Sequence, residues 1–220
     1  MSATRLPGKP LLSIKGTSII SHVYNKAVES NIGDVYVATE DQEIIEDITI
    51  NGGKAVITSN KHKTGTDRIF EAYKKLNIKN VDYILNLQGD EPLIDIKDII
   101  NLNNKISKEG LELGSLACNI SDDKKYQDEN IVKVKTSEQL NKDRVLKAES
   151  FFRKLENKDK KNVYHHIGIY LYKVSVLEKI TSLDQTKNEK NQRLEQLRAL
   201  ENNIDINMVL AESSPIGVDT

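Results

Sequence analysis

Strand-type runs alternate with stretches of helical spacing along this chain, and that alternation constrains the fold more than any other feature. Ile19, Ile20, Val23, Ala27 and Val28 recur at helical spacing. Val35-Tyr36-Val37-Ala38 follows as a strand, and Ile44, Ile45 and Ile48 continue as a helix closed by Asn51-Gly52-Gly53. Residues 54–57 form the next strand, and Ile69, Phe70, Tyr73 and Leu76 mark another helix. The same pattern places a strand at 83–87, a helix at 96–106 and a strand at 114–119. It ends with a strand at 162–172, a helix at 193–201 and a strand at 206–209. Strand and helix in alternation predict an α/β fold, a parallel sheet with helices on its faces. The 220 residues suit one large domain. Residues 132–135 alternate as a half-exposed strand would, and 139–161, the least patterned part, read as an appendage.

The central strand runs into Gln88-Gly89-Asp90-Glu91-Pro92. Pro92 stops regular structure, because its ring fixes φ and it lacks an N–H. Ligands of open α/β sheets bind beyond the carboxyl ends of strands. A strand ending in Gly-Asp sets a carboxylate there, and Gly89 lets a ligand approach the backbone. Asp90 therefore reads as a carboxylate for metal or phosphate, while the same Gly, Asp and Pro read equally well as a turn.

The balance of charge narrows the functions open to the chain. Thirty-two Lys and Arg against 33 Asp and Glu leave a net charge of −1, without the clustered basic excess of a nucleic-acid binder. No apolar run approaches the roughly 20 residues that span a bilayer, and no charged-then-apolar leader is present, so no membrane partner and a cytoplasmic location are expected. The single Cys118 lies in an apolar run, which suits a buried thiol in a reducing compartment.

Two polar loops could hold anions. The first 12 residues carry Gly8, Pro7 and Pro10 with Arg5 and Lys9 among them, a loop able to bind phosphate, although it is not a Walker-type loop. Residues 58–68 run into a helix for which Thr66 is a candidate N-cap, and Thr64-Gly65-Thr66 brings backbone close to whatever sits at that helix start. A base or ribose contact and an ordinary capped helix are both open readings. His62 in this loop reads as a solvated residue. Of His165 and His166, neighbours in a strand, one should face inward and the other outward. Four histidines and one cysteine lack the spacing of a zinc site.

Six segments then fall in one order: RLPGKPL at 5–11, TGTDR at 64–68, NLQGDEP at 86–92, HHIGIY at 165–170, LEQLR at 194–198 and GVDT at 217–220. In these the chain resembles the 3-deoxy-manno-octulosonate (KDO) cytidylyltransferases over almost its whole length. The resemblance implies a Rossmann-like nucleotide-diphospho-sugar transferase sheet with helices on both faces and a small dimerisation subdomain, hence a homodimer. It implies transfer of CMP from CTP to KDO, giving CMP-KDO and pyrophosphate for lipopolysaccharide synthesis. Both substrates are anions, so charge neutralisation and positioning dominate the chemistry.

By the same resemblance Asp90 and Asp219 would bind Mg²⁺, a hard cation that takes oxygen ligands. Lys9 and Arg5 would hold phosphate oxygens, with Lys9 catalytic alongside the two aspartates. Thr64, Gly65, Arg68 and Gln88 would contact the nucleotide; His166, Glu195 and Gln196 would contact the sugar, and Arg153 its carboxylate. Both ends of the chain read as clipped relative to the family, without the usual first strand, its Arg and a C-terminal helix. The expectation is an unpaired sheet edge, lower stability and reduced activity. Gln192 stands where the family usually has Glu. Two other readings compete: a CMP-sialic-acid-type synthetase acting on another keto-acid sugar, and an inactive nucleotide-binding fragment. A Rossmann dehydrogenase is disfavoured, since no G-x-G-x-x-G follows a strand.

Overall fold

The structure, a computed structural model, describes residues 8–155 and 159–212. The contacts divide them into two compact units, one of 8–81 with 86–100 and one of 82–85 with 101–155 and 159–212.

The first unit begins with a 3-10 turn, Lys9–Leu11, and a small hairpin of β1 (Ser13–Ile14) and β2 (Thr17–Ser18). It continues through α1 (Ile19–Glu29), β3 (Val37–Thr39), α2 (Gln42–Ile50), β4 (Ala55–Ile57) and α3 (Gly65–Leu76). β3 and β4 pair in parallel. Ile20 of α1 and Ile44 and Ile48 of α2 form a core joined by Leu11, Tyr24, Val37 and Ala55. Ser18 caps α1 by accepting from the Ser21 amide at 3.2 Å, and the Ser18 and Ser21 hydroxyls both donate to the Asp47 carboxylate, at 2.6 and 2.9 Å. Those bonds lock α1 to α2.

The remaining elements are β5 (Tyr83–Asn86), α4 (Ile96–Lys108), β6 (Leu113–Cys118), β7 (Lys133–Thr136), β8 (Leu146–Phe152), β9 (Val163–Lys173), α5 (Val174–Ser182), α6 (Lys187–Gln192), α7 (Gln196–Glu201) and β10 (Asn207–Leu210). A six-stranded sheet runs β5-β9-β6-β10-β8-β7. The expected parallel sheet is here a mixed one: β10 pairs with β6 in parallel, while β6–β9, β8–β10, β7–β8 and β7–β9 are antiparallel. These pairings form a closed circuit through β9, β6, β10, β8 and β7, which protects strand edges. All six residues of β6 are buried, as expected of a strand covered on both faces. Gly114 is required there, since a Cβ would lie 2.2 Å from Ile106 Cγ1 of α4.

Three sequence-based expectations change. Residues 139–161 are no appendage, because β8 lies inside the sheet between β10 and β7. β7 is not half-exposed: Lys133 is fully buried, its ammonium donating to the Asp128 and Arg153 carbonyls, both at 2.5 Å. Burial lowers the Lys133 pKa. The helix expected at 193–201 is shorter, Gln196–Glu201, because Arg193 takes a left-handed conformation at φ 54° as the C-cap of α6.

Candidate active site

In the first unit, Gly8 at φ 72° opens the 3-10 turn that presents Lys9. The Lys9 side chain is mostly buried, and its ammonium lies 3.0 Å from Asp90 Oδ2. Asp90 sits in a turn with Gly89, beyond the end of β5, and its side chain is 47% exposed. The stretch is a turn, and it holds a carboxylate open to solvent. A buried-stem lysine beside an open carboxylate can neutralise an anionic ligand while the carboxylate offers oxygen to a cation.

α3 starts at Gly65, and its cap is Thr64 rather than Thr66: Thr64 Oγ1 accepts from the Asp67 amide at 3.2 Å and donates to Asp67 Oδ2 at 2.7 Å. Thr66 is buried within the first turn. The Arg68 guanidinium donates to Thr58 Oγ1 at 2.7 Å and pairs with the Glu40 carboxylate. That hydrogen bond holds Glu40 below the usual carboxylate range. His62 is not a free surface residue; it is half-buried and pairs with Glu71, whose pKa is lowered to about 2, chiefly by its hydrogen bond from Lys75. A Cβ built at Gly65 would lie 3.6 Å from Asn86 Nδ2 and 3.8 Å from Gln88 Nε2, so Gly65 and Gln88 are neighbours. Lys9 and Asp90 thus form one cluster, and Thr64, Gly65 and Gln88 gather at the start of α3. Arg5 and Asp219 lie outside the described residues. No group of three acidic, His or Cys side chains suited to a metal occurs among the described residues.

In the second unit, β9 carries a bulge. Ser115 of β6 faces Tyr170, yet Leu116 faces Ile167, so Gly168 and Ile169 are extra. The Ser115 hydroxyl donates to the Ile169 carbonyl at 2.8 Å. His166 Nε2 lies 2.9 Å from Ser115 Oγ, within hydrogen-bond distance. Burial pushes the His166 pKa down to about 3 and that of His165 to about 4. As expected, one histidine of the pair is turned in more completely: His166 is buried and His165 intermediate. Cys118 is buried, its thiol 3.7 Å from His165 Nδ1.

Gln196 opens α7, buried, with its Oε1 accepting from Tyr170 OH at 3.2 Å, and the Tyr170 and His166 rings lie 5.6 Å apart. Glu195 precedes it, partly exposed. Residues 193–196 are held by an ion pair that is almost wholly buried, Arg198 Nη2 to Glu189 Oε1 at 2.7 Å, while Glu189 also caps α6. The structure thus gathers His166 and Gln196 around Tyr170. Arg153 does not present a free guanidinium: it donates to the carbonyls of Glu129, Gln192 and Arg193.

Sequence reasoning missed Asn86, Glu40, Tyr170 and Glu189. Tyr170 lies within the HHIGIY segment and Asn86 within NLQGDEP, so both were in view as motif members. Glu40 and Glu189 had no local signal, because their roles depend on arginines 28 and nine residues away.

A strand end with an open carboxylate, a lysine at its side and a capped helix start nearby suit a nucleotidyltransferase. The solved structures agree on the fold: two UDP-glucose pyrophosphorylase structures match with TM-score 0.71 at 13% and 14% identity. A CMP:2-keto-3-deoxy-manno-octonic acid synthetase complexed with CTP matches more strongly, at TM-score 0.85 and 34% identity, over 99% of this chain and 88% of that one. The sequence profile described as "Cytidylyltransferase" matches residues 1–206. A 3-deoxy-manno-octulosonate cytidylyltransferase of Paramagnetospirillum magneticum is 38% identical over 100% of this chain and 89% of its own length. One of Thermodesulfovibrio yellowstonii is 41% identical over 99% and 89%. The chain belongs to the 3-deoxy-manno-octulosonate cytidylyltransferase family.

Proposed function

We propose that the protein transfers CMP from CTP to 3-deoxy-D-manno-octulosonate, releasing pyrophosphate. The observation that carries this reading is the Lys9–Asp90 pair at 3.0 Å beyond the end of β5, in a chain 34% identical to a synthetase solved with CTP.

A sugar hydroxyl oxygen bonds to the α-phosphorus as the bond to the leaving pyrophosphate breaks. Negative charge accumulates on the departing phosphates, and Lys9, with Arg5, neutralises it. Thr64, Gly65 and Gln88 orient the nucleotide, and Arg68, fixed by Glu40 and Thr58, braces the loop before α3. His166, Gln196 and Glu195 supply the sugar contacts. Arg153, through its carbonyl bonds, positions the turn at Gln192 and Arg193 rather than reaching the sugar carboxylate itself.

The residues present fit Mg²⁺, which is usually held by one or two carboxylates plus substrate phosphates, so a single open aspartate among the described residues is a suitable anchor. Asp90, with Asp219, would hold it, and the ion would supply charge neutralisation and a lowered pKa for the attacking hydroxyl. A homodimer, a cytoplasmic location and a role in lipopolysaccharide synthesis follow from family resemblance. No helix among the described residues is long and apolar enough to cross a membrane.

The test is pyrophosphate release with CTP, KDO and Mg²⁺ supplied together and singly omitted. Release that needs all three supports the proposal; full release with N-acetylneuraminate in place of KDO, or none with KDO, overturns it.

A further inference from the structure

Asp90 sits in the first of two consecutive turns. The Gln88 carbonyl accepts from the Glu91 amide at 3.4 Å, and the Glu91 carbonyl accepts from the Ile94 amide at 3.2 Å, with Pro92 and Leu93 at the second corner. The first of these bonds is long, and Pro92 has no N–H to add another. Leu93, at the second corner, is exposed. The turns' own hydrogen bonds therefore do little to fix the backbone that carries the Asp90 carboxylate.

α1 supplies the missing hold on both flanks. Before Asp90, a Cβ at Gly89 would lie 2.8 Å from Ile20 Cδ1, so α1 packs directly against the turn. After Asp90, the Ile94 side chain is fully buried, and its carbonyl accepts from the Lys26 ammonium at 2.8 Å across 68 positions of sequence. A charged donor makes the stronger class of hydrogen bond. α1 is itself locked to α2 through the Ser18 and Ser21 bonds to Asp47. The Lys9 ion pair holds only the side chain of Asp90, whereas Lys26 holds the chain that carries it. We propose that Lys26 is a positioning residue for Asp90: by anchoring the Ile94 carbonyl to α1 it keeps the carboxylate where a divalent ion bound with the nucleotide phosphates needs it. The proposal rests on the reading of Asp90 as a metal ligand, and it gives Lys26 no contact with the substrates.

The test titrates the Mn²⁺–CTP complex into the full chain and into Lys26→Met, Lys26→Arg and Asp90→Asn. Binding is read from water-proton relaxation and stability from thermal unfolding. A misplacement of about 1 Å can cost about 100-fold in rate, and loss of this one tie should weaken Mn²⁺–CTP binding about tenfold in Lys26→Met. Lys26→Arg keeps a charged donor and should stay within about twofold of wild type. A Lys26→Met protein that melts lower yet binds within about twofold of wild type makes Lys26 structural only and overturns the proposal. An equal loss in Lys26→Arg overturns it too, because the donor is retained. If Lys26→Met does not fold, Lys26→Gln decides by the same criteria. Wild type that does not bind Mn²⁺–CTP, or Asp90→Asn that binds it as wild type does, overturns the reading of Asp90 and this proposal with it. The expected loss in Asp90→Asn beside an unchanged Lys26→Met overturns only the proposal.

Discussion

Lys9 Nζ lies 3.0 Å from Asp90 Oδ2, although 81 residues separate them along the chain. The fold brings the basic N-terminal loop to the turn after β5, so a cation and an open carboxylate share one point. A ligand with phosphates would meet the lysine, and a divalent ion would meet the aspartate.

Lys9→Met should lower kcat about 100- to 1,000-fold, the usual cost of removing one charge-stabilising donor. Asp90→Asn should abolish the response of the rate to Mg²⁺ concentration while leaving the melting temperature nearly unchanged, since the side chain is half exposed. Steady-state kinetics across a Mg²⁺ titration checks both; an Asp90→Asn enzyme with a normal metal response would remove Asp90 from the proposed metal site.

Two glycines should respond in opposite ways to alanine. Gly114→Ala drives a methyl into Ile106 of α4 at 2.2 Å and should cost about 3 kcal/mol or more of stability, read by urea unfolding. At Gly65 the nearest atoms lie at 3.6 and 3.8 Å, so Gly65→Ala should fold normally. It should weaken CTP binding about tenfold or more by placing a methyl beside Gln88 where the nucleotide is proposed to bind, read by calorimetry.

Breaking the buried Glu189–Arg198 pair should be severe. Arg198→Met leaves a buried carboxylate and should cost about 3–5 kcal/mol. The double variant Glu189→Leu/Arg198→Leu should recover most of that loss, because apolar pairs of similar volume often replace buried ion pairs without penalty. Denaturant unfolding of the three proteins gives the comparison, and a double variant no more stable than the single one would count against it.

Acid should destabilise the protein through its histidine pair. Burial holds His165 at about 4 and His166 at about 3, against 6.5 in the unfolded chain. Between those values the unfolded state binds more protons, so stability falls as pH drops below 6.5, by up to about 1.4 kcal/mol per pH unit per histidine, and levels off below the folded pKa values. His165→Gln should make unfolding free energy less steep between about pH 6.5 and pH 5. An unchanged slope would show that His165 does not resist protonation.

Much of the first unit was legible from local pattern. Ile20, Ile44 and Ile48, picked out by helical spacing, are the core of α1 and α2. The turn at Asp90 was legible because Gly, Asp and Pro after an apolar run favour a strand end and a turn. Lys133 was not: alternation in β7 suggested a solvated lysine, but the closed circuit of strands buries both faces, and two carbonyls replace water. The left-handed Arg193 was also hidden, because apolar spacing at 194, 197 and 200 suggested a helix from 193, whereas α7 begins at Gln196.

The sequence by itself determined the elements, the ordered motifs and the family, because these depend on local periodicity and on residues written side by side. Only the tertiary structure decided which side chains share a site and in what protonation state. His166 meets a serine 51 positions away, and Lys9 meets an aspartate 81 positions away. Hydrogen bonds and burial act through space, so their effects are fixed only once distant segments meet.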